Sequence, residues 1–214
     1  MSHTQTFAID IETISTVENP DFDDPEHWIP FCIALGHESE SMSDPDVEVI
    51  FRGGSSIEEE ARLFTDALDW IASRSDGSDR VLLTYNGDGY DFPILKHRAC
   101  RVRQAEPAEN VVDRLCLLLR SSRHIDLILR MKDREGYFVP LDDALDIHGI
   151  ESDEPEWLGK PVTGADMPEM GLELLSDRPN DDLRRAVERY AASDVGPLFQ
   201  LYEELTTETV HTNG

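Results

Sequence analysis

Apolar and polar positions alternate with period two from Phe7 to Glu12. Phe7, Ile9 and Ile11 fall on one side, and Ala8, Asp10 and Glu12 on the other. This pattern predicts a strand over residues 7–13, with both carboxylates on one face and roughly 7 Å apart. The apolar neighbours predict that it lies inside a sheet. Residues 13–27 are acidic and broken by Pro20 and Pro25, which reads as a loop. Trp28–Gly36 and Val47–Phe51 read as two further strands. Turn residues around Ser43–Asp46 make them an antiparallel pair joined to the first strand.

Helical spacing takes over next. Ser56 and Glu59 form a capping box, and Ala61, Phe64, Leu68 and Ile71 recur behind it, so 57–73 reads as a helix. A turn at Asp76–Asp79 leads to the apolar run Val81–Tyr85, the pattern of a buried strand. A Gly-rich corner, Asn86–Asp91, then opens a helix with Pro93 in its first turn. Residues 111–120 read as a helix and Ser122–Leu127 as a short extended piece. A short helix over 141–148 ends at Gly149. Residues 150–179, rich in Pro, Gly and Glu, read as one long loop containing Trp157 and Lys160. In the last helix Asn180 is the cap. Leu183, Val187, Tyr190, Asp194, Leu198 and Leu201 form one stripe, with a break at Gly196–Pro197. Asp194 is out of place there, because a stripe that faces a core rarely carries an acid.

At 214 residues the chain is long enough for one α/β domain, expected over 1–205 with a frayed tail over 206–214. No apolar run is long enough to span a membrane, and Met1–Thr6 lacks the pattern of a secretory signal. Cys32, Cys100 and Cys116 are too widely spaced for a metal motif and odd in number, which predicts free thiols in a reducing cytoplasm. The net charge is −26, and of 19 basic residues only Lys96, Lys132 and Lys160 are not arginine. The acids are dispersed along the whole chain, the pattern of a surface adapted to a salty cytoplasm. So acidic a protein does not attract polyanions by bulk charge. A nucleic-acid substrate would need local basic groups and metal ions.

The sequence isolates acids in three places: Asp10 with Glu12 on a strand, Asp91 after the Gly-rich corner, and Asp194 one turn beyond Tyr190. Four carboxylates without a His or Cys partner suit Mg²⁺ or Mn²⁺. On its own, Asp-x-Glu also fits an edge strand with one wet face. Taken together, Asp10-Ile11-Glu12, Asn86-Gly87-Asp88-Gly89-Tyr90-Asp91 and Tyr190-Ala191-Ala192-Ser193-Asp194 resemble the three motifs of the DEDD 3′→5′ exonucleases of the ribonuclease H-like fold. The branch is that of the proofreading domain of family B DNA polymerases. Arg189 stands where the alternative branch carries a histidine, which favours the tyrosine type. His124-Ile125-Asp126-Leu127 resembles a stretch found between the second and third motifs.

The resemblance implies an α/β ribonuclease H-like mixed sheet, antiparallel in its first three strands and then parallel, flanked by helices. It implies two divalent cations held by Asp10, Glu12, Asp91 and Asp194, with Asp91 acting largely through water. Tyr190 would orient the attacking water. Thr13, Asn86 and Tyr90 would touch the substrate, a single-stranded DNA or RNA with a free 3′ end. Repair or replication proteins are the partners it implies. Lys96, Arg98, Arg101 and Arg103 follow the second motif and could line a strand channel, or could be a solvated helix face. Arg184, Arg185 and Arg189 have the same two readings. Trp157 could stack on a base or pin its loop. Two other readings of the chain stay open: a non-catalytic binding domain of this fold, and a structure-specific endonuclease.

The dispersed charge carries its own prediction. Unfolding monitored by circular dichroism should lose cooperativity as KCl falls from multimolar to 0.1 M. Equal cooperativity at both concentrations contradicts the salt adaptation.

Overall fold

Successive side chains of a strand face opposite ways, so a strand apolar at both sets of positions must be covered twice. The first strand obeys this rule. In the computed structural model, which describes residues 4–39, 42, 44–75, 77, 79–105, 110–176 and 180–211, β1 (Thr4–Ser15) is the middle strand of five. It is flanked by β2 (Trp28–Glu38), β3 (Asp46–Phe51), β4 (Asp79–Thr84) and β5 (Ser122–Asp126), in the order β3-β2-β1-β4-β5. The β3/β2 and β2/β1 pairs are antiparallel, and β1/β4 and β4/β5 are parallel. The predicted mixed sheet is therefore the one observed.

Helices cover both faces. Phe7, Ile9 and Ile11 point into a core closed by α1 (Ile57–Arg74), α2 (Asp91–Ala105) and α3 (Val111–Ser121), with Phe64 and Leu95 at its centre. Ala8, Ala34 and Leu83 point into the other core. It is closed by α4 (Leu127–Glu135), α5 (Leu141–His148), α6 (Met167–Leu174), α7 (Asp181–Val195) and α8 (Leu198–His211). Asp10 and Glu12 share the side of Ala8, so they face the layer that contains α7. The β1/β2 register shifts between Glu12 and Thr13, passing from Glu12↔Cys32 to Thr13↔Pro30. Phe31 is the extra residue, and this bulge bends the strand just past the acids. Pro30, which has no N–H to give, lies beyond the stretch of β2 that pairs with β3.

The expected caps are present. Ser56 accepts from Glu59 N–H at 3.4 Å, and Asn180 accepts from Leu183 N–H at 3.1 Å. The turns expected at 43–46 and 76–79 fall partly outside the described residues, which omit 43, 76 and 78.

Three stretches differ from the sequence expectation. Residues 127–135 form α4, which starts directly at the end of β5 and stops at Gly136 in the left-handed region (φ 80°). Residues 150–179 are not one loop: they contain the hairpin β6 (Glu156–Trp157) and β7 (Lys160–Pro161), and then α6. Eight residues with Pro168 near the start and Gly171 inside give α6 too few periodic positions to be read from the sequence. Gly171 is there for packing, since a Cβ on it would lie 2.5 Å from the Phe31 ring and 2.7 Å from Ile14. Its absence lets α6 seat on β1. Residues 206–211, expected to fray, continue α8, where Thr206 Oγ1 donates to the Tyr202 carbonyl at 2.7 Å. The remaining tail, 212–214, lies outside the described residues. Among the described residues no helix is long and apolar enough to cross a membrane.

Candidate metal centre

The corner after β4 aims the second acid. Asn86 takes a left-handed backbone (φ 69°), and its carbonyl accepts from Gly89 N–H at 3.1 Å and Tyr90 N–H at 2.9 Å. Gly87 must be glycine, since a Cβ would sit 2.4 Å from Thr84 Oγ1. The corner is also braced from the neighbouring strand. Asp126 accepts from Asn86 N–H at 2.7 Å with one carboxylate oxygen and from Asp88 N–H at 2.9 Å with the other. Thr84 Oγ1 and His124 Nε2 are 2.8 Å apart beside it. So Asp126, buried at the end of β5, holds the turn that places Asp91 at the first position of α2. Of the bracing residues, only the stretch His124–Leu127 stands out in the sequence, and the sequence leaves it without a role.

Asp91 is 2% exposed, and its Oδ1 accepts from Ile11 N–H at 3.2 Å, on the backbone between Asp10 and Glu12. From the other layer, α7 brings Asp194. Carboxylate oxygens of Asp10, Glu12 and Asp194 all lie within 4.8 Å of one another. The first and third motifs therefore meet, and the second stands directly behind them. The Tyr190 hydroxyl donates to Asp194 one turn away.

The electrostatics are those of like charges kept from water. Burial is the largest influence on all four acids. It pushes Asp10 well above the usual carboxylate range, and Asp91, Glu12 and Asp194 push it further. Burial, then Asp194 and Asp91, does the same to Glu12. Asp91 rises to about 7, although hydrogen bonds from its own N–H and that of Ile11 restrain it. Asp194 also rises to about 7, with Asp142 adding to its burial. Among the described residues, no lysine or arginine figures in the influences on Asp10 or Glu12. The field reaches Cys32, which faces Glu12 across the strand pair; burial, Glu12 and Asp10 push its thiol well up. Clustered oxygen donors with no compensating side-chain cation fit a hard divalent ion, so the donor set suits the group that the acids imply.

The other expected residues divide. Thr13 Oγ1 and Tyr90 OH are 2.7 Å apart, and both line a cleft of about 740 Å³ beside Glu12, together with Asn86. Gly164, from the segment expected to be a loop, also lines this cleft, and a Cβ on it would lie 3.2 Å from the Tyr190 hydroxyl. Arg98 belongs elsewhere. Its guanidinium makes two 2.6 Å bonds to Glu60, which is fully buried on α1 and also meets Arg52 at 3.3 Å. A side chain spent on that ion pair ties α2 to α1, and the strand contact expected of Arg98 is withdrawn. Lys96 is exposed with its ammonium 5.7 Å from the Phe92 ring centroid, and Arg101 and Arg103 are exposed on the same helix. Arg184 lies over Phe51 at 4.1 Å, and Arg185 pairs with Asp182. Arg189 makes a two-pronged pair with Asp153 at 2.8 and 2.7 Å. Trp157 is half-buried against the α7 core, which is the pinning role.

The raised carboxyls make stability depend on pH and on cations. A carboxyl whose folded pKa exceeds its unfolded value favours folding below about pH 4 and loses that contribution as pH climbs through 7. Ions that keep the carboxylates charged remove the loss. Thermal melts should show Mg²⁺ or Mn²⁺ raising Tm by several degrees at pH 8 and by little at pH 5. The reverse order, or no cation effect at pH 8, contradicts this electrostatic picture.

Solved structures similar to this chain include two exonucleases. The exonuclease I of E. coli in complex with a 5cy-dT13 oligonucleotide is 15% identical with a TM-score of 0.39, over 95% of this chain and 43% of that one. The moderately thermophilic exonuclease I from Methylocaldum szegediense is 16% identical with a TM-score of 0.36, over 87% of this chain and 40% of that one. The chain thus spans about two-fifths of the length of these structures. No curated protein sequence matches it. A family model described as RNase_H superfamily (RNase_H_2) matches residues 42–206, a stretch that holds Asp91 and Asp194 but starts after Asp10 and Glu12. This match extends over most of the chain, which belongs to the RNase_H superfamily.

Proposed function

We propose that this chain is a metal-dependent 3′→5′ exonuclease of the DEDD tyrosine type, related to the proofreading domain of family B polymerases. The single observation that supports it most is the convergence of Asp10, Glu12 and Asp194 within 4.8 Å, with Asp91 hydrogen-bonded to the backbone between the first two. In this reading Asp10, Glu12, Asp91 and Asp194 would hold two cations, Mg²⁺ or Mn²⁺. Bound ions of this kind lower the pKa of water and neutralise charge developing on a phosphodiester.

The chain's own groups do the rest. Burial, Asp194 and Glu12 hold the Tyr190 phenol far above its usual range, so it stays a neutral hydroxyl at working pH. It therefore orients a water molecule and is not the base that deprotonates it. Asn86, Thr13 and Tyr90 face the end of the strand across the cleft beside Glu12. Tyr90 also stays a hydroxyl, because burial outweighs its bond to Thr13. The 3′ polarity and the DNA or RNA single strand rest on the likeness of the three motifs. Residues 1–205 would act as one catalytic unit, in a reducing, salty cytoplasm and alongside repair or replication proteins. Cys32, Cys100 and Cys116 are all free thiols, which fits that setting.

A 5′-labelled oligonucleotide in Mn²⁺ and high KCl tests the proposal. Wild type should shorten it from the 3′ end, EDTA should stop the reaction, and Asp10→Ala should lower the rate at least a thousandfold. Equal degradation by wild type and variant, or a full product ladder from a strand with a blocked 3′ end, contradicts it.

A further inference from the structure

Strands β1, β4 and β5 run parallel, so all three begin at one rim of the sheet and carry the chain toward the carboxylates at the other. Thr4 and Asp10 are six positions apart on β1, roughly 20 Å along the strand. At the starting rim a pocket of about 410 Å³ is lined by Thr4, Asp79, Arg80, Val81, Ser121 and Arg123. Among the described residues it shares none with the cleft beside Glu12.

The two arginines of this pocket differ from arginines elsewhere in the molecule. The chain has 45 acidic residues against 19 basic ones, and Arg52, Arg74, Arg98, Arg114 and Arg189 are each paired with a carboxylate. Among the described residues neither Arg80 nor Arg123 has such a pair, although Asp79 lines the same pocket. Hydroxyls hold them instead. Arg80 donates to Ser121 Oγ at 2.5 Å and to Ser75 Oγ at 3.4 Å, and Arg123 donates to Tyr202 OH at 3.1 Å. A guanidinium carries five N–H donors, so both keep donors to spare and an unopposed charge. The hydroxyls set the half-buried Arg80 fork before any ligand arrives, which lowers the entropy lost on binding. Ser122 pairs with Arg80 across the strands and points to the same side, and its buried hydroxyl lacks a hydrogen-bond partner among the described residues.

We infer that the Arg80–Arg123 pocket is an anion site, remote from the carboxylate centre, and that it takes a phosphate group. Guanidinium forks match carboxylates and phosphates alike. A phosphate offers them three acceptor oxygens and up to two charges, where a carboxylate offers two oxygens and one charge. Neither fork takes Asp79, the carboxylate already in the wall. A net charge of −26 repels any anion at long range, so the site acts by contact. Concentrated salt screens that repulsion and leaves the directed contacts. The phosphate can be a free one, inorganic or on a nucleoside monophosphate, or a link in a polynucleotide backbone. The inference is independent of the exonuclease reading.

Isothermal titration calorimetry of the whole chain in 2 M KCl with EDTA tests it, since EDTA keeps cations from drawing phosphate to the carboxylates. The probes are inorganic phosphate, thymidine 5′-monophosphate, dT10 without a terminal phosphate, and acetate. One phosphate should bind per chain with a Kd of about 1 mM, the scale of a few charge-assisted contacts, and acetate at least tenfold more weakly. Arg80→Gln with Arg123→Gln should weaken the binding at least tenfold. Arg62→Gln with Arg185→Gln, which removes the same charge from exposed ion pairs, should change it less than twofold. Arg123→Gln alone, at an exposed side chain, should weaken it at least threefold and serves if the double variant does not fold. Binding of phosphate and monophosphate assigns the site to free phosphate; binding of dT10 alone, weakened by the pocket variants, assigns it to a backbone. Absence of binding by all three phosphates, equal loss in the pocket and control variants, or acetate binding as tightly as phosphate overturns the inference. Shortening of a labelled strand in Mn²⁺ is scored separately, so failure of that assay removes the exonuclease reading and leaves this site standing.

Discussion

Repulsion among carboxylates held in a partly dry pocket is the constraint on which everything else depends. Moving a carboxyl such as Asp91 from its ordinary 3.8 to about 7 means that ionising it in place costs on the order of 4 kcal/mol. Whole domains are stable by only about 5–15 kcal/mol. Several such acids at one point are tolerable only if rigid elements hold them there and if something of opposite charge completes the site. The elements meet the first condition. Asp10 and Glu12 sit on the central strand, buried from both sides, and Asp194 sits on a helix whose stripe is locked by Leu183 and Val187. Asp91 is fixed twice, by the Ile11 amide and by a corner that Asp126 braces. No arginine or lysine meets the second condition at Asp10 or Glu12, among the described residues. A proton can relieve the repulsion below about pH 7, and above it the proposed cations would do so.

Some of the basic side chains near the motifs are used elsewhere. Arg98 and Arg52 neutralise buried Glu60, and Arg189 is paired with Asp153. With a surface so acidic and several of its arginines committed to local partners, the chain offers a polyanion little bulk attraction.

Much of this is legible in the amino-acid order, and the exceptions have physical causes. The alternation around Asp10 makes β1 legible because Asp10 and Glu12 fall on one side of the strand and Phe7, Ile9 and Ile11 on the other. Asp194 is visible because it interrupts an otherwise apolar stripe. Helix α6 is hidden because it is only eight residues long and seats on β1 where Gly171 has no side chain, and an absent side chain has no periodicity. Arg98 is misleading because nothing in the run Glu58–Glu59–Glu60 marks the last residue as the buried one. Asp126 has the spacing of a helix cap, yet its carboxylate is spent on the Asn86 and Asp88 amides, a bond across 38–40 positions that no local pattern announces.

Anomalous diffraction from crystals grown with millimolar Mn²⁺ would reach the central claim most directly. The account predicts at least one strong manganese peak bounded by carboxylate oxygens of Asp10, Glu12 and Asp194, lost in Asp10→Ala crystals grown alike. Empty density among these three side chains in the wild type, or manganese only at acids on the outer surface, would contradict it.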